Sequence, residues 1–237
     1  MPKSHPAYPD DGRAIVRGWE PCPSCRVGSM DGGYVNVEPF DAATHAAELW
    51  HAFGGEAMNE RIRWFGWPWM EWEGDLARII EGYATREGWS TAVFVLEAQA
   101  VGMASYMRED AANGVIETGA IALSDRIART PAATEAHWLM MEHAFELGYR
   151  RYEWKCDDAN EASKRAALRL GFTHEGTFRQ HQVKHGRNRD TAWFSILDSE
   201  WPVVDAALRA WLEASNFDGD RRQRRSLADI RREMETA

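Results

Sequence analysis

The chain has 237 residues, 44% hydrophobic and 27% charged, with a formal net charge of −9. That length suits one large domain or two small ones and buries enough surface to fold without disulfides or a structural metal. The acidic balance excludes a general nucleic-acid binder, which needs a basic face, and no apolar run approaches the roughly 20 residues of a membrane span.

Residues 1–30 hold five of the nine prolines and read as a Pro-rich arm. The arm has no apolar core of a signal peptide, so a cytoplasmic protein is the expectation. Cys22-Pro23-Ser24-Cys25 is a single CxxC. A structural zinc site takes four ligands, usually as two such pairs, so a plain loop without metal is expected. Residues 34–38 alternate as a strand. Asp41 or Thr44 then starts a helix that Gly54-Gly55 breaks. Four of the 12 Trp fall within nine residues, at Trp64, Trp67, Trp69 and Trp72. Leu76, Ile79, Ile80 and Tyr83 stand at helical spacing.

Strands are predicted over 91–97 and 101–107, joined by a turn at Gln99-Ala100. A third runs over 115–123 after the Asn113-Gly114 turn signal. A helix follows over 134–147, ended by Gly148. Residues 152–156 alternate as a strand, and 160–170 form a helix closed by Gly171. Two strands fit 173–179 and 191–197, and Trp201-Pro202 opens a last long helix. The charged tail over 218–237 has room for a short helix through Leu227, Ile230 and Met234. Hairpins alternating with single crossovers imply a mixed sheet with helices on its faces. The expected organisation is an arm (1–30), a main domain (31–217) and a charged tail (218–237).

The chemistry concentrates at Arg129-Thr130-Pro131-Ala132-Ala133-Thr134, between a strand and a helix. Small residues entering a helix present free backbone N–H groups, which together with the helix dipole favour a phosphate. An ordinary capped helix is the alternative. Asn160, Ser163, Gly171 and Phe172 follow about 25 residues later. These two segments, with Glu175-Gly176, Phe178-Arg179 and Lys184 to Asp190, resemble the Gcn5-related N-acetyltransferases (GNAT). The similarity is to the branch that acetylates ribosomal-protein N-termini, and it spans about 34–201. One departure is that small residues replace the glycines of the family's phosphate loop.

The resemblance implies an α/β (α+β) fold with a mostly antiparallel sheet of about seven strands. It implies acetyl-CoA as cosubstrate, with no metal. Arg129, Thr130, Ala132, Ala133 and Thr134 would hold the pyrophosphate, and Asn160 the pantetheine arm. Backbone groups of Ile121 and Leu123 would polarise the thioester. Glu117 would take the proton of the attacking amine, or else be a strand Glu paired with an Arg. Ser163 would protonate the leaving thiolate, or simply start its helix. The cleft for the acceptor would include Trp67, Trp69, Trp72 and His181, although core packing for at least two of the four Trp and a solvated loop for His181 and His185 are the plainer readings. Cys156 reads as a core thiol. The implied partners are acetyl-CoA and a primary amine, a protein N-terminus or a small amine, with no nucleic acid or membrane and with a possible homodimer. A non-catalytic acyl-CoA-binding module is the other class. Charge fits this scheme: residues 150–190 carry ten Lys and Arg against six Asp and Glu. The acidic remainder suits a cationic amine.

Overall fold

Capping and turn chemistry set most element boundaries in the computed structural model, which describes residues 16–236. The arm before Val16 lies outside the described residues. In chain order the elements are β1 (Met30–Asp31), β2 (Asn36–Pro39), α1 (Ala42–Ala52), α2 (Met58–Arg61), α3 (Glu73–Ala84), β3 (Ser90–Leu96), β4 (Gln99–Asp110) and β5 (Val115–Leu123). They continue with α4 (Pro131–Glu146), β6 (Arg151–Asp157), α5 (Glu161–Leu170), β7 (Thr173–Lys184), β8 (Arg187–Leu197), α6 (Trp201–Leu212) and α7 (Leu227–Glu235). Asp41 caps α1 by accepting from the Thr44 N–H at 2.9 Å. Gly171, at φ 109°, ends α5 in a conformation that favours glycine.

Among the boundaries that differ from the sequence reading, three have a local cause. The β3–β4 turn is Glu97-Ala98, both at positive φ (52° and 59°), as a tight two-residue hairpin requires, so Gln99 already belongs to β4. Helix α4 begins at Pro131 instead of Thr134, because a proline in the first position loses no intrahelical bond. The β7–β8 hairpin runs out to Lys184 and Arg187 and turns at His185-Gly186. His181 therefore lies in a strand and not in a loop.

The sheet has eight strands in the order β1-β2-β3-β4-β5-β6-β8-β7. Every neighbouring pair is antiparallel except β5–β6, which is parallel. That pair is short: the last partners are Thr118 and Trp154. Beyond it, β5 carries an extra residue against β4, with Ala120 at φ 48°. A bulge of this kind bends and twists its strand, here at the point where β5 leaves β6. The β6-facing backbone of residues 119–123 has no strand partner.

Alternation divides the sheet into two faces. Tyr106, Ile116, Tyr152, Trp154 and Phe194 pack on one face with α4, α5, α6 and α7. The Tyr106 hydroxyl donates to Met140 O at 2.6 Å, which satisfies a fully buried phenol. The second face packs Val93 and Met103 against α1, α3 and the connecting segment through Phe53, Met70, Leu76 and Ile80.

Both ends of the described chain are tied to this frame. Trp19 donates its indole N–H to Ala112 O at 2.9 Å, with Arg150 5.4 Å from its ring. Glu109 collects the Cys25 N–H (2.6 Å), the Ser24 hydroxyl (3.0 Å) and the Tyr149 hydroxyl. Burial and the Glu109 charge push the Cys25 thiol up to about 12. The tail folds back as well, with Leu227 and Ile230 of α7 buried in the main core. Among the described residues no helix is long and apolar enough to cross a membrane.

Glu135 of α4 fixes the entry to β2. Its buried carboxylate accepts the backbone N–H groups of Gly33 (2.9 Å), Tyr34 (2.6 Å) and Val35 (2.9 Å). A carboxylate matches three donors, whereas an amide turns one acceptor into a donor. Glu135→Gln is expected to cost about 2 kcal/mol in urea unfolding, within the range of a lost charge-assisted hydrogen bond.

Candidate active site

The gap between β5 and β6 opens toward the N-terminus of α4. Thr130 is the N-cap, but its hydroxyl donates to Ile127 O at 2.6 Å and leaves the first turn of α4 without a side-chain cap. Pro131 has no N–H, so the amides of Ala132, Ala133 and Thr134 head the helix. Arg129 stands just before them at φ 65°, exposed.

A cleft of about 640 Å³ lies over this helix end. Leu123, Arg129 and Thr134 form one side, and Ala162, Arg165, Ala166 and Arg169 present one face of α5 from the other. Trp211 and Arg221, both beyond the core strands, complete the wall. Four arginines thus line the cleft, and no carboxylate does. Among the described residues none of Arg129, Arg165, Arg169 and Arg221 has an acidic partner within 4.0 Å. Elsewhere in the chain Arg61, Arg108, Arg151, Arg209 and Arg225 are paired with acids. Arg169 donates to the Thr134 hydroxyl at 3.0 Å and lies 4.6 Å over the Trp211 ring. Burial holds its pKa below the usual guanidinium value.

Asn160 caps α5: its side-chain oxygen accepts from the Ser163 N–H at 3.2 Å, which leaves its NH₂ group free to donate. The Ser163 hydroxyl accepts from Trp154 Nε1 at 3.0 Å and retains its own proton to give. Cys156 is buried beside it, with its thiol pushed up by that burial.

Glu117 is 1% exposed and lies on the opposite face of the sheet from α4. Its Oε2 meets Lys155 Nζ at 2.8 Å and Arg108 Nε at 3.2 Å. Both cations lie 5.1 Å from the Trp193 ring. Oε1 has no hydrogen bond among the described residues and points at Gly119, 3.3 Å from where a Cβ there would stand. Burial raises the pKa of Glu117, and the two cations oppose the rise without cancelling it. The same burial lowers Lys155. Beside this group a second cavity of about 390 Å³ is lined by Arg108, Glu153, Glu175, Phe178 and Trp193.

The expected aromatic wall divides. Trp67 is in the core, 5.2 Å from Phe65 and stacked 5.6 Å from Tyr83. Trp69 and Trp72 are exposed, and neither lines a described cavity. His181 contacts Thr191 Oγ1 at 2.9 Å and lies 6.2 Å from the Trp193 ring. Thus Phe178, noted in the sequence only as part of a motif, and Trp193, unremarked there, supply the aromatic surface near Glu117. Lys155 and Arg108 were missed too, since their pairing with Glu117 depends on three adjacent strands. Among the described residues no group of three or more His, Cys, Asp or Glu is gathered as for a metal.

Residues 35–173 match a family described as acetyltransferase (GNAT) domain. The chain belongs to the GNAT acetyltransferases. No curated protein matches it. A GCN5-related N-acetyltransferase from Brucella melitensis is 41% identical, with a TM-score of 0.86 over 92% of this chain and 100% of that one. A probable GNAT-family acetyltransferase from Chromobacterium violaceum is 36% identical, with a TM-score of 0.75 over 80% and 96%. The fold is also shared with RimL, a ribosomal L7/L12 α-N-protein acetyltransferase, at 19% identity and a TM-score of 0.63 over 76% and 99%. This GNAT chain is an acetyltransferase, and the family's cosubstrate is acetyl-CoA.

His137 borders the cleft, buried 5.8 Å from Phe94 and 5.5 Å from Trp154 (ring centroids). Burial first, and the Arg169 charge second, hold its pKa down to about 4 from an ordinary 6.5. The folded state thus keeps His137 neutral where the unfolded chain would protonate it. Its stabilising effect is complete above pH 6.5 and is lost as pH falls toward 4, amounting to up to about 3 kcal/mol. The urea midpoint of His137→Leu is expected to fall less steeply across that range than that of the wild-type protein.

Proposed function

We propose that the protein transfers an acetyl group from acetyl-CoA to a primary amine bound on the Glu117 side of the sheet. The observation that carries this reading is the cleft at the α4 N-terminus, where four arginines with no acidic partner among the described residues meet helix amides that lack a side-chain cap, in a protein of net charge −9. An uncompensated cluster of cations in an acidic protein is a binding surface for a polyanion. Its fit to the phosphates of CoA lies in the donor set: guanidinium groups for charge and planar hydrogen bonding, amides for close approach. When bound, acetyl-CoA supplies the activated acetyl thioester.

The chain's own residues then have separate tasks. Arg129 and the amides of Ala132, Ala133 and Thr134 hold the pyrophosphate. Residues 119–123 have no strand partner on the β6 side among the described residues, although the Leu123 carbonyl accepts from Arg61 at 3.0 Å. The N–H groups of Ile121 and Leu123 orient the pantetheine arm in the gap and polarise the thioester carbonyl. The free NH₂ of Asn160 adds a donor to that arm. Glu117, with Oε2 held by Lys155 and Arg108, keeps Oε1 free to take the amine proton directly or through a water. Its raised pKa suits that task better than an ordinary carboxylate would. Ser163 hands its proton to the departing thiolate. The acceptor reaches Glu117 from the cavity bounded by Phe178 and Trp193, whose carboxylates Glu153 and Glu175 are already paired with Arg151, so what the site requires is a primary amine that reaches Oε1. A protein N-terminus and a small amine both meet that requirement. The protein works as a cytoplasmic enzyme in this reading.

Calorimetry and a thiol-release assay over a panel of amines and N-terminal peptides test the proposal. Micromolar acetyl-CoA binding that weakens with added salt, together with release for at least one amine, is expected. Tight binding without release for any acceptor would instead identify a non-catalytic acyl-CoA module. Arg165→Ala and Arg169→Ala should each weaken binding by about tenfold, the lower end for a charge-assisted contact. Glu117→Gln should lower kcat by about 100-fold or more and remove the acidic limb of the pH–rate profile. An unchanged limb would take Glu117 out of the reaction.

A further inference from the structure

The segment after α6 lies outside the residues that match the family, yet it builds one wall of the arginine-lined cleft. It is an ordered loop. Phe217 and Gln223 pair as an antiparallel bridge, and residues 218–222 are folded on Asp218. The Asp218 carboxylate accepts the N–H groups of Asp220 (2.9 Å) and Arg222 (2.8 Å), and its carbonyl accepts that of Arg221 (2.9 Å). Asn216, buried below, donates to Trp211 O and accepts from the Arg225 N–H, both at 3.0 Å.

The loop is also registered to the helix end that heads the cleft. Arg169 bonds the Thr134 hydroxyl in the first turn of α4 and covers the Trp211 ring. Trp211 Nε1 donates to Gln223 Oε1 at 2.9 Å, and its ring packs edge-on to Phe217 at 5.2 Å. A continuous chain of contacts therefore runs from the α4 amides to the loop and sets it as a separate wall. On that wall Arg221 lines the cleft from a backbone at φ 60°, a conformation arginine rarely adopts. The asparagine and aspartate bonds on either side hold that conformation, and Arg221, itself exposed, borders the cleft without an acidic partner among the described residues.

A ligand that uses both walls needs two separate anionic groups. The amides and Arg129 serve one, and the loop is placed to serve the other. We propose that loop 217–223 is a phosphate-recognition element of the acyl-CoA cleft and that Arg221 contacts the ribose 3′-phosphate. The C-terminal extension thereby selects CoA thioesters over those of dephospho-CoA. This rests on the acyl-CoA reading above.

Calorimetry on the full chain with CoA and 3′-dephospho-CoA tests it. Wild-type protein is expected to favour CoA by about tenfold, as for one charge-assisted contact at an open site. Arg221→Gln should remove that preference by weakening CoA alone. Arg221→Gly, which accepts the positive φ, should lose the preference equally while keeping the thermal midpoint, which separates charge from loop folding. Equal affinities in the wild-type protein, or equal weakening of both ligands in the variants, would overturn the proposal while leaving acyl-CoA binding intact. Failure of the wild-type protein to bind either nucleotide would overturn the acyl-CoA reading and this proposal with it.

Discussion

Everything at the site depends on how briefly β5 and β6 run together. A parallel pair normally continues for the length of its strands, because each added residue satisfies more backbone groups. Here pairing stops at Thr118 and Trp154, and β5 bends at its bulge. The divergence leaves a strip of unpaired backbone near the middle of an otherwise continuous sheet. It also separates α4, following β5, from α5, following β6, so that a cleft lies between the N-terminal half of α4 and one face of α5. Closing the gap would pair the backbone of residues 119–123 and draw the arginines of α5 toward α4. The open geometry is the condition for the cleft.

Charge is partitioned along the same line. Most acidic groups near a guanidinium are engaged: Glu153 and Glu175 with Arg151, Glu142 and Asp205 with Arg209, Glu117 with Arg108. The four cleft arginines are the contrast. Arg169 rests on a hydroxyl and an aromatic ring, partners that orient a cation without neutralising it. An acidic protein with such an unneutralised pocket repels anions at long range and holds them at short range, so binding should depend on close fit rather than on steering.

Much of this was legible in the residues. The strand over 115–123 was readable from the Asn113-Gly114 turn before it, and its observed limits agree. Helix α5 could be bounded from Asn160 to Gly171 because both ends carry strong local signals. What escaped was non-local. A bulge at Ala120 has no signature, since alanine does not advertise a positive φ. The Lys155–Glu117–Arg108 group joins three strands whose adjacency follows only from the sheet order. The role of the tail was hidden for the same reason: Arg221 reaches the cleft through Trp211 and Gln223, a bridge that charge density along the chain cannot reveal. Trp67 shows the opposite limit, because composition marks a cluster of tryptophans without saying which of them pack.

The arrangement around Glu117 connects burial with chemistry. A carboxylate removed from water and left alone would protonate, and one clamped on both oxygens by cations would be a poor base. Here the cations occupy a single oxygen, and Trp193 backs them with a ring face. Burial narrows the gap in proton affinity between Glu117 and Lys155, since it disfavours the charge on each. A proton arriving at Oε1 then weakens the hold of Oε2 on Lys155, which can pass a proton outward past the ring. In this reading of the site the neutral amine left on Lys155 then takes the proton from the Glu117 carboxyl across their 2.8 Å contact, which restores both the carboxylate and the ammonium without opening Glu117 to solvent. The strand pairing that places Lys155 and Arg108 beside Glu117 therefore sets the electrostatics of that carboxylate as well as the shape of the sheet.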